Sequence, residues 1–282
     1  MPSSESRVTS PTTTIAFIGG GNMARSLIGG LIARGTLPAS LRVSEPSEAV
    51  RAGLTADFGV AVFTDNAEAV RGTELAVFAV KPQVMKPVCE ALVTTFPGNA
   101  VALSIAAGIT SAQIDQWLGG GRAVVRTMPN TPALLGAGAT GLFANARTDA
   151  GQRALAQATM DAVGVTAWID DETLMDTVTA VSGSGPAYFF LLAEALQAAA
   201  IAQGLPPDAA RALVVQTCAG AGRMLAESGE DAATLRQRVT SPGGTTQAAL
   251  ESFAASDFAG IVANAVAAAT QRGAELAAKA GG

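Results

Sequence analysis

Apolar and polar positions follow two different rhythms along this chain. Up to about Arg126, short runs rich in Val, Ile and Phe alternate with stretches of helical spacing. "TTIAFIGG" leads to "NMARSLIGGLIARG", and "LRVSE" leads to "PSEAVRAGLTADFG". Then come "VAVF", "DNAEAVRG", "ELAVFAV", "KPQVMKPVCEALVTTF", "AVALSI", "SAQIDQWLG" and "RAVVRTM". Short strands alternating with helices predict a parallel sheet covered on both faces. "GATGLFAN" and "VTAWIDD" predict further strands around the helix "AGQRALAQATMDAVG".

After about Asp170 the strand pattern stops. "GPAYFFLLAEALQAAAIAQGL", "PPDAARALVVQTCAGAGRMLAES", "DAATLRQRV", "TQAALESF" and "FAGIVANAVAAATQRGAEL" all carry helical spacing, and Gly-Leu-Pro-Pro, Ser-Gly-Glu-Asp and Ser-Pro-Gly-Gly separate them. The expected organisation is a loose polar tail over 1–13, an α/β dinucleotide-binding sheet domain over 14–172 and an all-α domain over 173–282. The stretch "PAYFFLLAEALQAAAIAQGL" contains Glu194, Gln197 and Gln203, so a buried helix is expected there rather than a membrane span.

Composition sharpens this picture. Apolar residues make up 49% of the 282 positions and charged ones only 15%, so much helix surface is expected to be hidden, as in a helical dimer. A net charge of -5 with scattered Lys and Arg argues against a nucleic-acid partner. Cys89 and Cys218 lie far apart, which predicts buried free thiols in a reducing, cytoplasmic setting rather than a disulfide or zinc framework. The chain has no histidine, which removes Ser-His-Asp and Cys-His hydrolysis and histidine-ligated metal sites.

In "IAFIGGGNMARSL", Gly19, Gly21 and Ala24 form a G-x-G-x-x-A fingerprint between a predicted strand and a predicted helix. Gly19 permits the sharp turn, Gly21 lets the backbone approach a pyrophosphate, and Ala24 keeps the helix against the sheet. In "VSEPS", Glu45 is placed to hold ribose hydroxyls, favouring NADH, whereas Ser44, Ser47, Asn66 or Arg51 would accept the 2′-phosphate of NADPH. Both cofactors stay open. Lys81, before Pro82, ends one strand, and "LSIAAG" ends the next.

The helical half supplies two glycine-rich helix starts. Ser182, Gly183, Ser184 and Gly185 precede Pro186, with Ser184 a candidate N-cap or pocket wall. In "SPGGTTQ", Gly243 and Gly244 allow close approach to Thr245 and Thr246. Two such helix starts suggest a small carboxylate-bearing substrate.

Taken together, "FIGGGNM", "AVKP", "SIAAG", "NTP", "SGSGPAY" and "SPGGTT" resemble the pyrroline-5-carboxylate reductase family from about Ile15 to the end. The resemblance implies a Rossmann domain followed by a helical dimerisation domain, protomers assembling as dimers or multiples of dimers, and NAD(P)H-dependent reduction of 1-pyrroline-5-carboxylate to L-proline. It implies that Ile18, Gly19, Gly20, Gly21, Asn22 and Met23 line the pyrophosphate. Ala79, Val80, Lys81 and Pro82, with Ile105, Ala106 and Ala107, would border ribose and nicotinamide. Asn66 would lie near the adenosine ribose, and Glu172, Gly244, Thr245 and Thr246 on the substrate side. Arg238 stands where some relatives have asparagine beside the cofactor.

A cyclic imine suits a chain without imidazole. Its ring nitrogen is protonated before binding, so hydride transfer needs alignment rather than a side-chain acid. Thr246 is expected to bond that nitrogen. A β-hydroxyacid dehydrogenase would need a lysine in the helical half, where only Lys279 occurs. A non-catalytic nucleotide-binding regulator is the rival outside enzymes. It would have little use for the two helix starts.

Overall fold

The computed structural model describes residues 13–280, with side chains described to 278. The expected tail therefore falls almost wholly outside the described residues. The Lys279 side chain does too.

Two compact units emerge: one runs to Ser184 and takes back the stretch from Ala269, and the other is Gly185–Ala268. A change of pattern at 172 thus precedes the end of the first unit, because the helical turns just after it pack on the sheet.

In the first unit the elements run β1 (Ile15–Ile18), α1 (Asn22–Ala33), β2 (Leu41–Ser44), α2 (Glu48–Phe58), β3 (Ala61–Phe63), α3 (Asn66–Val70), β4 (Leu75–Phe78) and α4 (Pro82–Ala91). They continue with β5 (Val101–Ser104), α5 (Ser111–Trp117), β6 (Ala123–Met128), β7 (Gly138–Ala144), α6 (Ala150–Asp161), β8 (Gly164–Trp168) and α7 (Met175–Val178). The strands form one sheet in the order β3-β2-β1-β4-β5-β6-β7-β8, parallel except at β6–β7. Order reverses between β1 and β4, the crevice where open α/β sheets bind ligands.

Alternation along β1 shows why both faces are covered. Ile15 and Phe17 enter the core on one face, with α1 and α6, while Ala16 and Ile18 enter the other, with α3, α4 and α5. On α1 the buried positions are Ala24, Leu27, Ile28 and Leu31, a single stripe at i, i+3, i+4 and i+7. Burying each of its larger members contributes about 1.5–3 kcal/mol. Ala24 is fully buried, as the fingerprint requires. Gly30 continues the close approach, since a Cβ there would sit 2.3 Å from the Ala162 carbonyl oxygen.

A π-helical turn, Thr179–Gly183, follows α7. This differs from the expected capping turn at Ser184, whose backbone is helical and whose N–H donates to the Thr179 carbonyl at 2.8 Å. Helix α8 starts at Gly185, one residue before Pro186. Proline has no N–H for the carbonyl four residues back, that of Ser182. The Asn130 side-chain amide donates to that carbonyl instead, at 3.0 Å, while its own oxygen accepts from the Ala139 N–H at 2.9 Å. The asparagine of "NTP" thus compensates for the proline of "SGSGPAY".

The second unit holds α8 (Gly185–Ala202), α9 (Pro207–Glu227), α10 (Ala232–Arg238), α11 (Thr245–Ala255) and the start of α12 (Phe258–Ala280). Of its residues, only Gly185 and Ala210 are buried. Phe189 and Phe190 are 68% and 67% exposed, and Leu213, Val215 and Ile261 are similarly open. The expectation of a buried "PAYFFLLAEALQAAAIAQGL" helix fails in the single chain, because α8 is apolar on all sides and no one neighbour can cover it. Among the described residues one helical run, Glu172–Ala202, is long and apolar enough to cross a membrane. The thiol expectation holds for Cys89, which is buried, and fails for Cys218, which is exposed on α9.

Candidate active site

Three strand ends converge on the glycine turn. The Gly19 N–H donates to the Ser44 carbonyl at 2.8 Å, and the Ala79 N–H to the Ile18 carbonyl at 2.8 Å. Gly19 has φ +99°, and a Cβ there would lie 2.7 Å from the Ala79 carbonyl oxygen and 3.2 Å from Val80 Cγ1. Only glycine fits. At Gly21, by contrast, a Cβ would meet nothing within 4 Å. The surface above that backbone is open. Gly21 is the N-cap of α1 with no side-chain cap, and the first turn carries no acidic residue. Asn22 and Met23 therefore start a helix whose N–H groups and dipole suit a phosphate. The residues fit a dinucleotide.

Glu45 does more than end β2. Its Oε2 accepts from the Gly20 N–H and its Oε1 from the Ser47 N–H, both at 2.9 Å. The carboxylate is therefore a fixed negative charge tied to the glycine turn. Ser44 Oγ donates to Asn66 Oδ1 at 2.5 Å, which gathers these two residues at the same strand ends. Arg51 is turned onto the carbonyls of Glu45 and Pro46, each at 2.7 Å. It is engaged with backbone rather than held out toward a 2′-phosphate.

Lys81 is exposed and is the N-cap residue of α4, with Pro82 at the first helical position. The segment Ile105–Ala107 leaves β5 with two ties: Ser104 Oγ accepts from the Ala106 N–H at 3.2 Å, and the Ile105 N–H reaches the Phe78 carbonyl at 3.3 Å. Beside it lies a cavity of about 500 Å³ lined by Pro82, Gln83, Lys86, Ala107, Asp176 and Thr179, among others.

Glu172, carried over as a substrate-side residue, has a protein neighbourhood of its own. Its Oε1 accepts from the Ser111 N–H and its Oε2 from the Ser111 hydroxyl, both at 2.7 Å, and Arg126 lies 3.5 Å away. Arg126 also reaches Asp176 at 3.6 Å. Sequence reasoning missed Ser111, Arg126 and Asp176. The one available signal was a lone arginine inside the otherwise apolar strand "AVVRTM".

In the second unit, the "SPGG" loop prepares the start of α11. Gly243 has φ +71°, and its N–H donates to Gln247 Oε1 at 2.7 Å, while Gln247 Nε2 donates to Glu251 Oε1 at 2.7 Å. The Gly244 N–H is used by the Ser241 carbonyl at 3.0 Å, and the first helical bond runs from the Ala248 N–H to the Gly244 carbonyl at 3.2 Å. Among the described residues, the N–H groups of Thr245, Thr246 and Gln247 are left without acceptors. No acidic residue sits in that first turn. Ser184 links the π-helical turn directly to α8 with a helical backbone, and its N–H is used by the Thr179 carbonyl, so α8 opens differently from α11. Arg238 ends α10 paired with Glu230 at 2.5 Å.

A dinucleotide turn at the switch point of an open sheet, followed by a helical unit, defines a two-part nicotinamide-dependent oxidoreductase. The family described as "NADP oxidoreductase coenzyme F420-dependent" matches residues 14–108, and "Pyrroline-5-carboxylate reductase dimerisation" matches 172–276. The chain is 51% identical to a pyrroline-5-carboxylate reductase of Pseudomonas aeruginosa over 94% of its length and 97% of the relative's. A solved pyrroline-5-carboxylate reductase from Coxiella burnetii superposes with a TM-score of 0.91 at 42% identity, covering 94% of this chain and 98% of that one. The Plasmodium falciparum pyrroline carboxylate reductase solved with NADP bound has a TM-score of 0.82 at 27% identity, covering 95% and 100%. This chain belongs to the pyrroline-5-carboxylate reductase family.

Proposed function

We propose that this protein reduces 1-pyrroline-5-carboxylate to L-proline with NADPH or NADH. The observation that carries the reading is the start of α11, where three unsatisfied N–H groups and two threonine hydroxyls meet after a glycine pair. That arrangement suits a small ring bearing a carboxylate. A bound reduced dinucleotide supplies the hydride. The substrate's C=N carbon accepts it, the C=N π electrons pass to the nitrogen already carrying its proton, and a saturated ring results. The chain's residues bind and align.

In this reading the turn Ile18–Met23 holds the pyrophosphate at the α1 N-terminus. Ser44, Glu45 and Asn66 receive the adenosine ribose. Ala79–Pro82 and Ile105–Ala107 border the nicotinamide end. Gly244, Thr245 and Thr246 hold the substrate, and the Thr246 hydroxyl bonds the ring nitrogen or carboxylate. The fixed Glu45 charge favours NADH, whereas the Plasmodium relative was solved with NADP bound, so both cofactors are kept in the reading.

The protein acts as a homodimer or multiple of dimers, with the uncovered faces of α8, α9 and α12 buried against a second copy. A cytoplasmic location accords with two unpaired cysteines, and a net charge of -5 disfavours nucleic acid. Absorbance at the reduced-nicotinamide band, with purified protein, 1-pyrroline-5-carboxylate and each cofactor in parallel, tests the reading. Cofactor oxidation with proline as product is expected. Binding of both cofactors without turnover would overturn it.

A further inference from the structure

Arg126, on β6, is a charged side chain buried in the first unit, 5% exposed, and no step of the proposed chemistry uses it. A guanidinium leaves water at high cost unless carboxylates receive it. Two do: Glu172 at 3.5 Å and Asp176 at 3.6 Å. Both bonds are long. The short ones are those that Glu172 makes to Ser111, at 2.7 Å to the N–H and 2.7 Å to the hydroxyl. Ser111 is the first residue of α5, so the carboxylate also sits favourably at a helix N-terminus.

The consequence lies one segment upstream. The neighbouring residue on β6, Thr127, donates its hydroxyl to the Ser104 carbonyl at 2.9 Å. Ser104 closes β5, and Ser111 opens α5. Adjacent residues of β6 therefore hold both ends of the segment between them: Thr127 directly, Arg126 through Glu172. Within it lie Ile105, Ala106, Ala107 and Gly108, the last with φ +76°. Ala107 and Gly108 form one wall of the 500 Å³ cavity, and Asp176, the other partner of Arg126, belongs to another.

We infer that Glu172 is a positioning residue that acts through Ser111 on the segment Ile105–Ala107, with Arg126 fixing Glu172 and Asp176 so that the cavity keeps its width. The inference rests on the reading that this segment borders the nicotinamide. It gives Glu172 a cofactor-side role without contact to the substrate.

Intact NADH and ADP-ribose, which lacks the nicotinamide, separate the possibilities. In Glu172→Gln and Ser111→Ala, NADH affinity is expected to fall roughly tenfold, the loss of one hydrogen bond to a charged group. ADP-ribose affinity should stay unchanged. Hydrogen exchange of the Ala107 and Gly108 amides should quicken in the ligand-free variants, and Ser111→Thr, which keeps the hydroxyl, should restore NADH binding. Equal weakening of both ligands would mean a global structural role and would overturn the inference. So would a raised KM for 1-pyrroline-5-carboxylate with unchanged NADH affinity, which would place Glu172 on the substrate. Ala107→Leu tests the underlying reading separately. If it leaves NADH binding intact, the segment does not border the nicotinamide and the inference falls with that reading. If it weakens NADH while Glu172→Gln and Ser111→Ala do not, only the positioning role fails.

Discussion

Two glycines two residues apart should respond to the same substitution in opposite ways. At Gly19, alanine meets φ +99° and an Ala79 carbonyl oxygen 2.7 Å from the new Cβ. The backbone strain costs about 1–3 kcal/mol. Pushing a fixed carbonyl aside costs about 1–3 kcal/mol more. Gly19→Ala should therefore lose about 2–6 kcal/mol of folding stability. At Gly21 the φ is −68° and the space is open, so Gly21→Ala should fold normally. Its methyl, however, would stand where the proposed pyrophosphate approaches the backbone. Losing one amide bond to a charged phosphate costs about 1.5–3 kcal/mol, or roughly ten- to hundredfold in cofactor affinity. Urea denaturation reads the first effect and NADH fluorescence titration the second. A Gly21→Ala protein with full cofactor affinity would refute the placement of the pyrophosphate. A Gly19→Ala protein of normal stability would refute the turn geometry.

Other outcomes follow from single features. Thr246→Ala should lower kcat/KM for 1-pyrroline-5-carboxylate by about 1–3 kcal/mol of transition-state stabilisation while leaving NADH affinity intact, read by steady-state kinetics and titration. Replacing Phe189 and Phe190 together by Asp should shift the sedimenting species toward the 28.1 kDa single chain. Burial, with the neighbouring Glu90 carboxylate adding to it, pushes the Cys89 thiol up to about 12 from an ordinary 9.0. Between those pH values the unfolded chain loses this proton and the folded one keeps it, so stability should fall as pH rises. The slope from this group approaches about 1.4 kcal/mol per pH unit, and Cys89→Ala should remove it from urea midpoints measured across that range.

Much of the first unit was legible because its signals are local. G-x-G-x-x-A after an apolar run admits few geometries, and the structure shows the positive φ at Gly19, the open face at Gly21 and the buried Ala24 that the spacing called for. Strand identity and sheet type followed from the same alternation. What escaped were features made by partners distant in sequence. In the π-helical turn at Thr179–Gly183, the Ser182 carbonyl is satisfied by Asn130, 52 positions away. Glu172 finds Ser111 across 61 positions, which no spacing rule could anticipate. Cys218 is exposed because α9 has neighbours on too few sides, a property of the whole helical unit. The first unit runs on to Ser184 because the turns after Glu172 pack on β6 and β7, contacts between segments far apart in sequence.

The open faces of Gly185–Ala268 have a kinetic consequence. In the proposed assembly, the last large burial of apolar surface happens between molecules, so the closing step of folding is a collision. Its rate follows concentration, as docking steps do. The stability of the finished enzyme then depends on how much of it is present. Dilution alone becomes a denaturing condition, and a cell making too little of this chain would lose more activity than the shortfall in copies.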